Sequence, residues 1–167
     1  EAEALAQNAK DGGNKEQGIW YHHEVADMLL LCDLFGRANG VELSSEYWAR
    51  HEAMLEFIAS LMDVSGQLPM IGDSDDAVIV DLSISRDVYH SLLATGSVLY
   101  QRGDFKIKSQ RYDDKSRWLL GDEAKAQFDV LCIDQQRLPI HRSFSDSGYY
   151  ILGDAFESAD EIRMIAD

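Results

Sequence analysis

The stretch GNKEQGIWYHHEVADMLLLC, residues 13–32, decides how the chain is read. In its right half Val25, Met28, Leu29, Cys32 and then Phe35 recur at helical spacing. Leu30, Leu31 and Leu34 widen that stripe around much of the circumference, the pattern of a helix buried on several sides. His23, Glu24 and Asp27 form its narrow polar strip. The periodicity predicts a helix over 14–37, with Asn39-Gly40 as its stop. The left half is crowded with Glu16, Gln17, Trp20, Tyr21, His22 and His23. A helix that only needs a core face does not need such a front. These groups either cap and tether the helix or do chemistry.

Working outward, EAEALAQNAK at residues 1–10 reads as the tail of a helix begun earlier, so the chain is expected to be a piece of a longer one. On the other side, Ser44 is a good N-cap with Glu46 in the first turn. Trp48, His51, Leu55, Ile58 and Met62 keep register behind it, and Ser65-Gly66 closes this second helix. The short linker predicts antiparallel neighbours. QLPMIGDSDDAVIVDLS, residues 67–83, predicts a loop with a short extended piece. A third helix is expected over 86–101, a polar surface connection over RGDFKIKSQRYDDKSR (102–117), and a short helix over 123–131 capped by Asp122. FSDSGYYILGD and EIRMIAD carry short apolar runs between turn residues and predict strands near 148–152 and 161–166. The expected fold class is therefore mainly α: paired helices of an array or toroid over 1–137, then the start of an antiparallel β domain over 138–167.

The totals exclude several function classes. With 167 residues, 46% apolar and 27% charged, the chain reads as globular. A net charge of −15 argues against a nucleic-acid partner, which needs a basic surface. No apolar run approaches the roughly 20 residues of a membrane span, so no membrane partner is expected. There is no initiator Met and no signal peptide. Cys32, in an apolar helical run, reads as a buried free thiol, and a disulfide with Cys132 is not the expectation.

Each polar group has two readings. Tyr21 buries its ring and hydrogen-bonds its hydroxyl at a helix start, with His22 and His23 partly exposed beside it; or it is part of a site. A zinc site is not expected, because adjacent helical residues point about 100° apart and the i, i+4 histidine pattern is missing. Asp73, Asp75 and Asp76 lack the Gly and the terminal Glu of a calcium-binding EF-hand loop. They either cap backbone N–H groups or act as paired carboxylates in glycoside hydrolysis. Arg102-Gly103-Asp104 spells an adhesion tripeptide by chance, and neither a phosphate loop nor a GxSxG elbow occurs.

D-G-x-x-x-E-Q-x-x-x-Y-H, formed by Asp11, Gly12, Glu16, Gln17, Tyr21 and His22, resembles the heparinase II/III-like polysaccharide lyases. LPMIGDSDD (68–76) and FSDSGYYIL (144–152) are similar to two further segments of that family, in the same order. Gly18 stands where the family usually has Ser, and Ala77 where it has Gly. The resemblance implies the end of an (α/α) toroid followed by the first strands of a β-sandwich-like domain. It implies β-elimination at a uronic acid without a cofactor or a metal. The proton leaves C5 and the oxygen on C4 is expelled. Tyr21 would be the acid/base, with His22 either orienting it or pointing away to pack, and its phenol, ordinarily near pKa 10, would need lowering by roughly a few units. Glu16, Gln17, Trp20, Asp73 and Asp75 would line or brace the sugar site, Gln17 sharing a face with Tyr21 at i−4. The implied partners are an acidic polysaccharide and the remainder of a longer chain, which would supply the groups that neutralise the substrate carboxylate. The implied location is periplasmic or secreted. A toroid glycoside hydrolase using Asp73 and Asp76, or a non-catalytic glycan-binding module, are the alternatives.

Overall fold

The computed structural model describes residues 1–74, 77–82, 87–133 and 143–167. Asp75, Asp76, the expected helix start at Arg86 and the expected boundary at 137/138 lie outside the described residues. The chain forms two compact units, Glu1–Ala77 with Ile140–Asp167, and Val78–Pro139. The C-terminal sheet belongs to the same unit as the first helices. Among the described residues the fold is mainly helical, with one small antiparallel sheet near the end.

The first unit begins with α1 (Ala2–Gln7), α2 (Ile19–Ala38) and α3 (Ser45–Leu61). α1 is short and Ala-rich, and its terminal carbonyls need partners. Arg50, buried on α3, supplies them by donating to Leu5 O at 2.8 Å and to Asn8 O. α3 starts where expected: Ser44 Oγ accepts from Tyr47 N at 3.2 Å. Tyr47, Arg50 and His51, Met54 and Leu55, Phe57 and Ile58, and Leu61 form its buried stripe.

α2 departs from the reading of its sequence in two ways. It begins at Ile19, not at 14, and its buried face is Ile19, His22, His23, Ala26, Asp27, Leu30, Leu31 and Asp33. Three of the residues assigned to the apolar stripe lie on the open side: Met28 is 41% exposed, Phe35 is 66% exposed, and Cys32 is an exposed free thiol. The supposed polar strip faces inward. The reason is that this interface is built from hydrogen bonds to backbone as well as from apolar contact. Tyr47 Oη donates to Leu29 O at 2.6 Å, His51 Nε2 to Ala26 O at 2.9 Å, and His22 Nε2 to Met54 O at 3.0 Å. The partners descend α2 as they ascend α3, so the two helices are antiparallel, as expected. A polar side chain that satisfies a facing carbonyl is no burden in a core.

The sheet has β1 (Ser143–Phe144), β2 (Tyr149–Asp154) and β3 (Ile162–Ala166) in the order β1-β2-β3. Phe144 pairs with Tyr149, and Ile151 with Ile165. Phe144, Tyr149 and Ile151 are buried, while Tyr150 and Leu152 point to the open face, the period of two expected of strands. Phe57 of α3 meets the rings of Phe144 and Tyr149 edge-on, at 4.9 and 5.1 Å.

The second unit has α4 (Val88–Leu99), α5 (Gly103–Ser109), α6 (Asp114–Leu120) and α7 (Asp122–Val130). The expected polar connection over 102–117 is instead helix α5 and the start of α6. Both helices are one or two turns long, and apart from Phe105 their buried residues, Asp104, Lys108, Ser109, Lys115 and Ser116, are polar or charged, too few apolar positions to show a period. Arg102 and Asp104 pair with each other at 2.6 Å, and Asp104 is buried. Gly121, not Asp122, occupies the N-cap of α7. Ala94, Val98, Ala124 and Phe128 form the core here, with Tyr112 and Leu120 against it.

Candidate functional site

The three segments that carry the family resemblance lie far apart in sequence and meet at the front of α2. The loop 11–18 is their junction. Gly12 adopts φ +97, and a Cβ there would stand 2.1 Å from Ala53 O, so only glycine lets the loop lie on α3. The Asp11 carboxylate accepts from Asp146 N at 2.7 Å, from Ser147 N at 3.1 Å and from Ser147 Oγ. It thereby grips the turn between β1 and β2. That turn grips back: Gln17 Nε2 donates to Ser147 O at 3.2 Å, and Tyr149 Oη donates to Gln17 O at 2.7 Å.

The loop 68–74 joins from the other side. Ile19 N, one of the orphan donors of the first turn, donates to Ile71 O at 3.0 Å. Gly72, at φ +74, approaches so closely that a Cβ on it would lie 2.8 Å from Gly18 Cα. Gly18 is equally confined: a Cβ there would stand 3.0 Å from Tyr21 Cδ2 and 3.1 Å from Asp73 O. A larger residue at this position would crowd both the Tyr21 ring and the Asp73 carbonyl.

The predicted site residues fall into three groups. Tyr21 is half-buried on the first turn of α2, beside the Asp73 backbone. Trp20 is half-buried too; its indole N–H donates to Ala77 O at 3.2 Å and its ring meets His23 edge-on at 5.2 Å. Asp73 and Glu16 are exposed.

Gln17 and His22 are tethers. Gln17 lies outside α2 with φ 57, so it does not share a helical face with Tyr21. Its side chain is spent on the turn. A non-glycine residue in this left-handed region costs roughly 1–2 kcal/mol, which the two bonds to the turn and β2 offset. His22 is 2% exposed, and both ring nitrogens are used. Nδ1 accepts from Asn14 N at 3.3 Å and Nε2 donates to Met54 O, so the ring is the neutral Nε2–H tautomer, stacked at 4.8 Å on Phe57. Burial pulls its pKa down to about 4, helped by the nearby His23 and His51. His51 is likewise lowered to about 4 by burial. A ring locked in this way holds the loop onto α3. Asp75 lies outside the described residues.

A cavity of about 410 Å³ opens between α1, α2 and α3. Val25, Leu29, Cys32 and Tyr47 form its apolar wall, with Glu1, Glu3 and Glu16 around it. Glu16 reaches it, whereas Tyr21 does not line it. Among the described residues no three His, Cys, Asp or Glu side chains gather to hold a metal ion, and no helix is long and apolar enough to cross a membrane.

Asp11, Ser147, Tyr149 and Phe57 are the parts of this assembly that residue-by-residue reading did not single out. Asp11, Ser147 and Tyr149 sit inside the matched segments, and that was their only signal. Comparison with protein-family models, with curated proteins and with solved structures gave no match.

Proposed function

We propose that the chain is part of a polysaccharide lyase of the heparinase II/III-like kind, acting on uronic-acid-containing glycans by β-elimination, with Tyr21 as the acid/base. One observation carries this reading. Three separate segments that resemble the family converge on the first turn of α2, and they leave a half-buried tyrosine at its surface beside an exposed acidic loop. Chance similarity gives no reason for the segments to meet.

In this reading the phenol of Tyr21 takes the proton from C5 or delivers one to the departing O4. Trp20 offers a ring edge and Glu16 and Asp73 offer acceptors to sugar hydroxyls at the rim. The cations that offset the substrate carboxylate come from the rest of the protein, since these 167 residues carry a net charge of −15. The open side of α2, with Met28, Cys32 and Phe35, is where a toroid would set another helix. The proposed location is periplasmic or secreted, and no cofactor takes part.

The test is turnover of acidic glycans by the full-length protein, followed by ultraviolet absorbance of unsaturated uronate. Tyr21→Phe is expected to remove at least about 99% of the signal, the scale of losing a general acid/base, while circular dichroism stays unchanged. Near-normal turnover by Tyr21→Phe eliminates the assignment. Mass spectrometry of the products separates elimination from hydrolysis, because hydrolysis adds water; products of hydrolysis that vanish in Asp73→Asn would select the glycosidase instead.

A further inference from the structure

Asp11 reaches across the sequence to a turn more than a hundred residues away, and what it holds there is tied back to the residue that launches α2. Its carboxylate accepts from Gly13 N at 3.4 Å, Asp146 N at 2.7 Å, Ser147 N at 3.1 Å and Ser147 Oγ. Bonds to an ionised acceptor are the strong ones. The turn so held presents Ser147 O to Gln17 Nε2, and β2 presents Tyr149 Oη to Gln17 O. Those two contacts keep Gln17 at φ 57. Gln17 is followed at once by the N-cap Gly18, which has no side chain to cap the helix. The direction in which the chain enters α2, and so the place of Tyr21, is therefore set from outside the helix.

We infer that Asp11 is a positioning residue: through the turn 144–148 and Gln17 it fixes the first turn of α2 and the Tyr21 phenol upon it. Its relation to turnover rests on the lyase reading; its mechanical reach does not. A plain loop cap would steady the turn and nothing beyond it. A positioning residue steadies α2 as well, through bonds it does not itself make. Asn in its place keeps the shape but sets an amide N–H₂ against backbone N–H donors, which breaks the grip without leaving a hole.

The experiment compares the full-length wild type with Asp11→Asn and Ser147→Ala, by hydrogen exchange and by steady-state kinetics on an acidic glycan. Asp11→Asn is expected to raise exchange about tenfold or more in two separate places, the 145–149 turn and the amides of Ile19 and His22. It is expected to lower kcat by about tenfold with KM within about twofold, because orientation is lost and binding is not. Faster exchange confined to the turn makes Asp11 a local cap and overturns the inference, as does an unchanged kcat. Should Asp11→Asn fail to fold, Ser147→Ala decides: it removes one donor of the grip, and a loss of a few-fold is expected at both places. No loss at Ile19 and His22 in that variant also overturns the inference. If the wild type makes no unsaturated uronate from any acidic glycan, the lyase reading fails by itself, and the exchange pattern still judges the latch.

Discussion

The two compact units are held together in opposite ways. In the first, the decisive bonds join residues far apart in the chain: Asp11 to Ser147 spans 136 positions, Tyr149 to Gln17 spans 132, and Arg163 to Ser60 spans 103. In the second the cross-links are short in sequence. Thr95 Oγ1 meets Ser116 Oγ across 21 positions, Lys106 reaches Leu131 O across 25, and Tyr112 Oη donates to Ser116 O across 4. A short link closes a small loop and costs little chain entropy; a long one must be supported by the rest of the fold. The candidate site lies wholly in the long-range unit, so it exists only once that unit is complete.

The sharpest way to break this contrast is at Phe57, whose ring meets His22, Phe144 and Tyr149. Phe57→Ala is expected to cost about 3–5 kcal/mol, the usual range for a fully buried aromatic. Denaturant unfolding measures it. A loss under 1 kcal/mol, roughly a surface substitution, would mean that the sheet does not depend on α3.

Acid is the next lever. His22 and His51 are held neutral with folded pKa values of about 4, against about 6.5 when unfolded. Between these values the unfolded chain binds more protons, so stability rises with pH there. The contribution is complete above pH 6.5 and is lost as pH falls towards 4, on the order of 3 kcal/mol for each ring. Thermal unfolding followed across this window checks it. His51→Gln, which keeps an N–H donor for Ala26 O but does not titrate, is expected to flatten the slope. A wild-type profile already flat between pH 6.5 and 4 would show that the rings are not sealed.

The mildest test sits in the second unit. Tyr112 Oη donates to Ser116 O at 2.9 Å and to Gly121 O at 3.2 Å, and burial raises its pKa to about 12. Tyr112→Phe removes that link between α6 and its end while leaving the ring on Phe128. The expected cost is about 1 kcal/mol, the worth of one partly exposed hydrogen bond, read by chemical unfolding. A cost as large as that of Phe57→Ala would erase the distinction between the two units.

What was legible in the sequence depended on whether the signal was local. Ser44 caps α3 because its oxygen meets an N–H three residues on, and Asn39 ends α2 with its own N–H on Gly36 O at 2.9 Å. Both signals need only neighbours. β2 shows because Tyr149 and Ile151 alternate with exposed residues, whereas the two-residue β1 was not expected. α5 and α6 were hidden because all of their buried residues but Phe105 are polar or charged, which leaves no apolar period. For the candidate site, the family resemblance offered Tyr21 as an expectation, but nothing in the spacing of those segments said that Asp11 would hold Ser147, or that Gln17 would leave the helix.

By itself the sequence determined the presence of α2 and α3, their antiparallel pairing, the strands near the end and the net charge of −15. Helix caps, short linkers and periodicities are properties of neighbouring residues, so they are written in order along the chain. Tertiary structure alone decided which side of α2 is buried. Apolar spacing favoured Met28, Cys32 and Phe35, yet the histidine side won, because His22 finds Met54 O on α3 and His51 of α3 finds Ala26 O on α2. A hydrogen bond to a partner on another helix has no signature in the spacing of one helix, and that is why the fold had to be seen to know it.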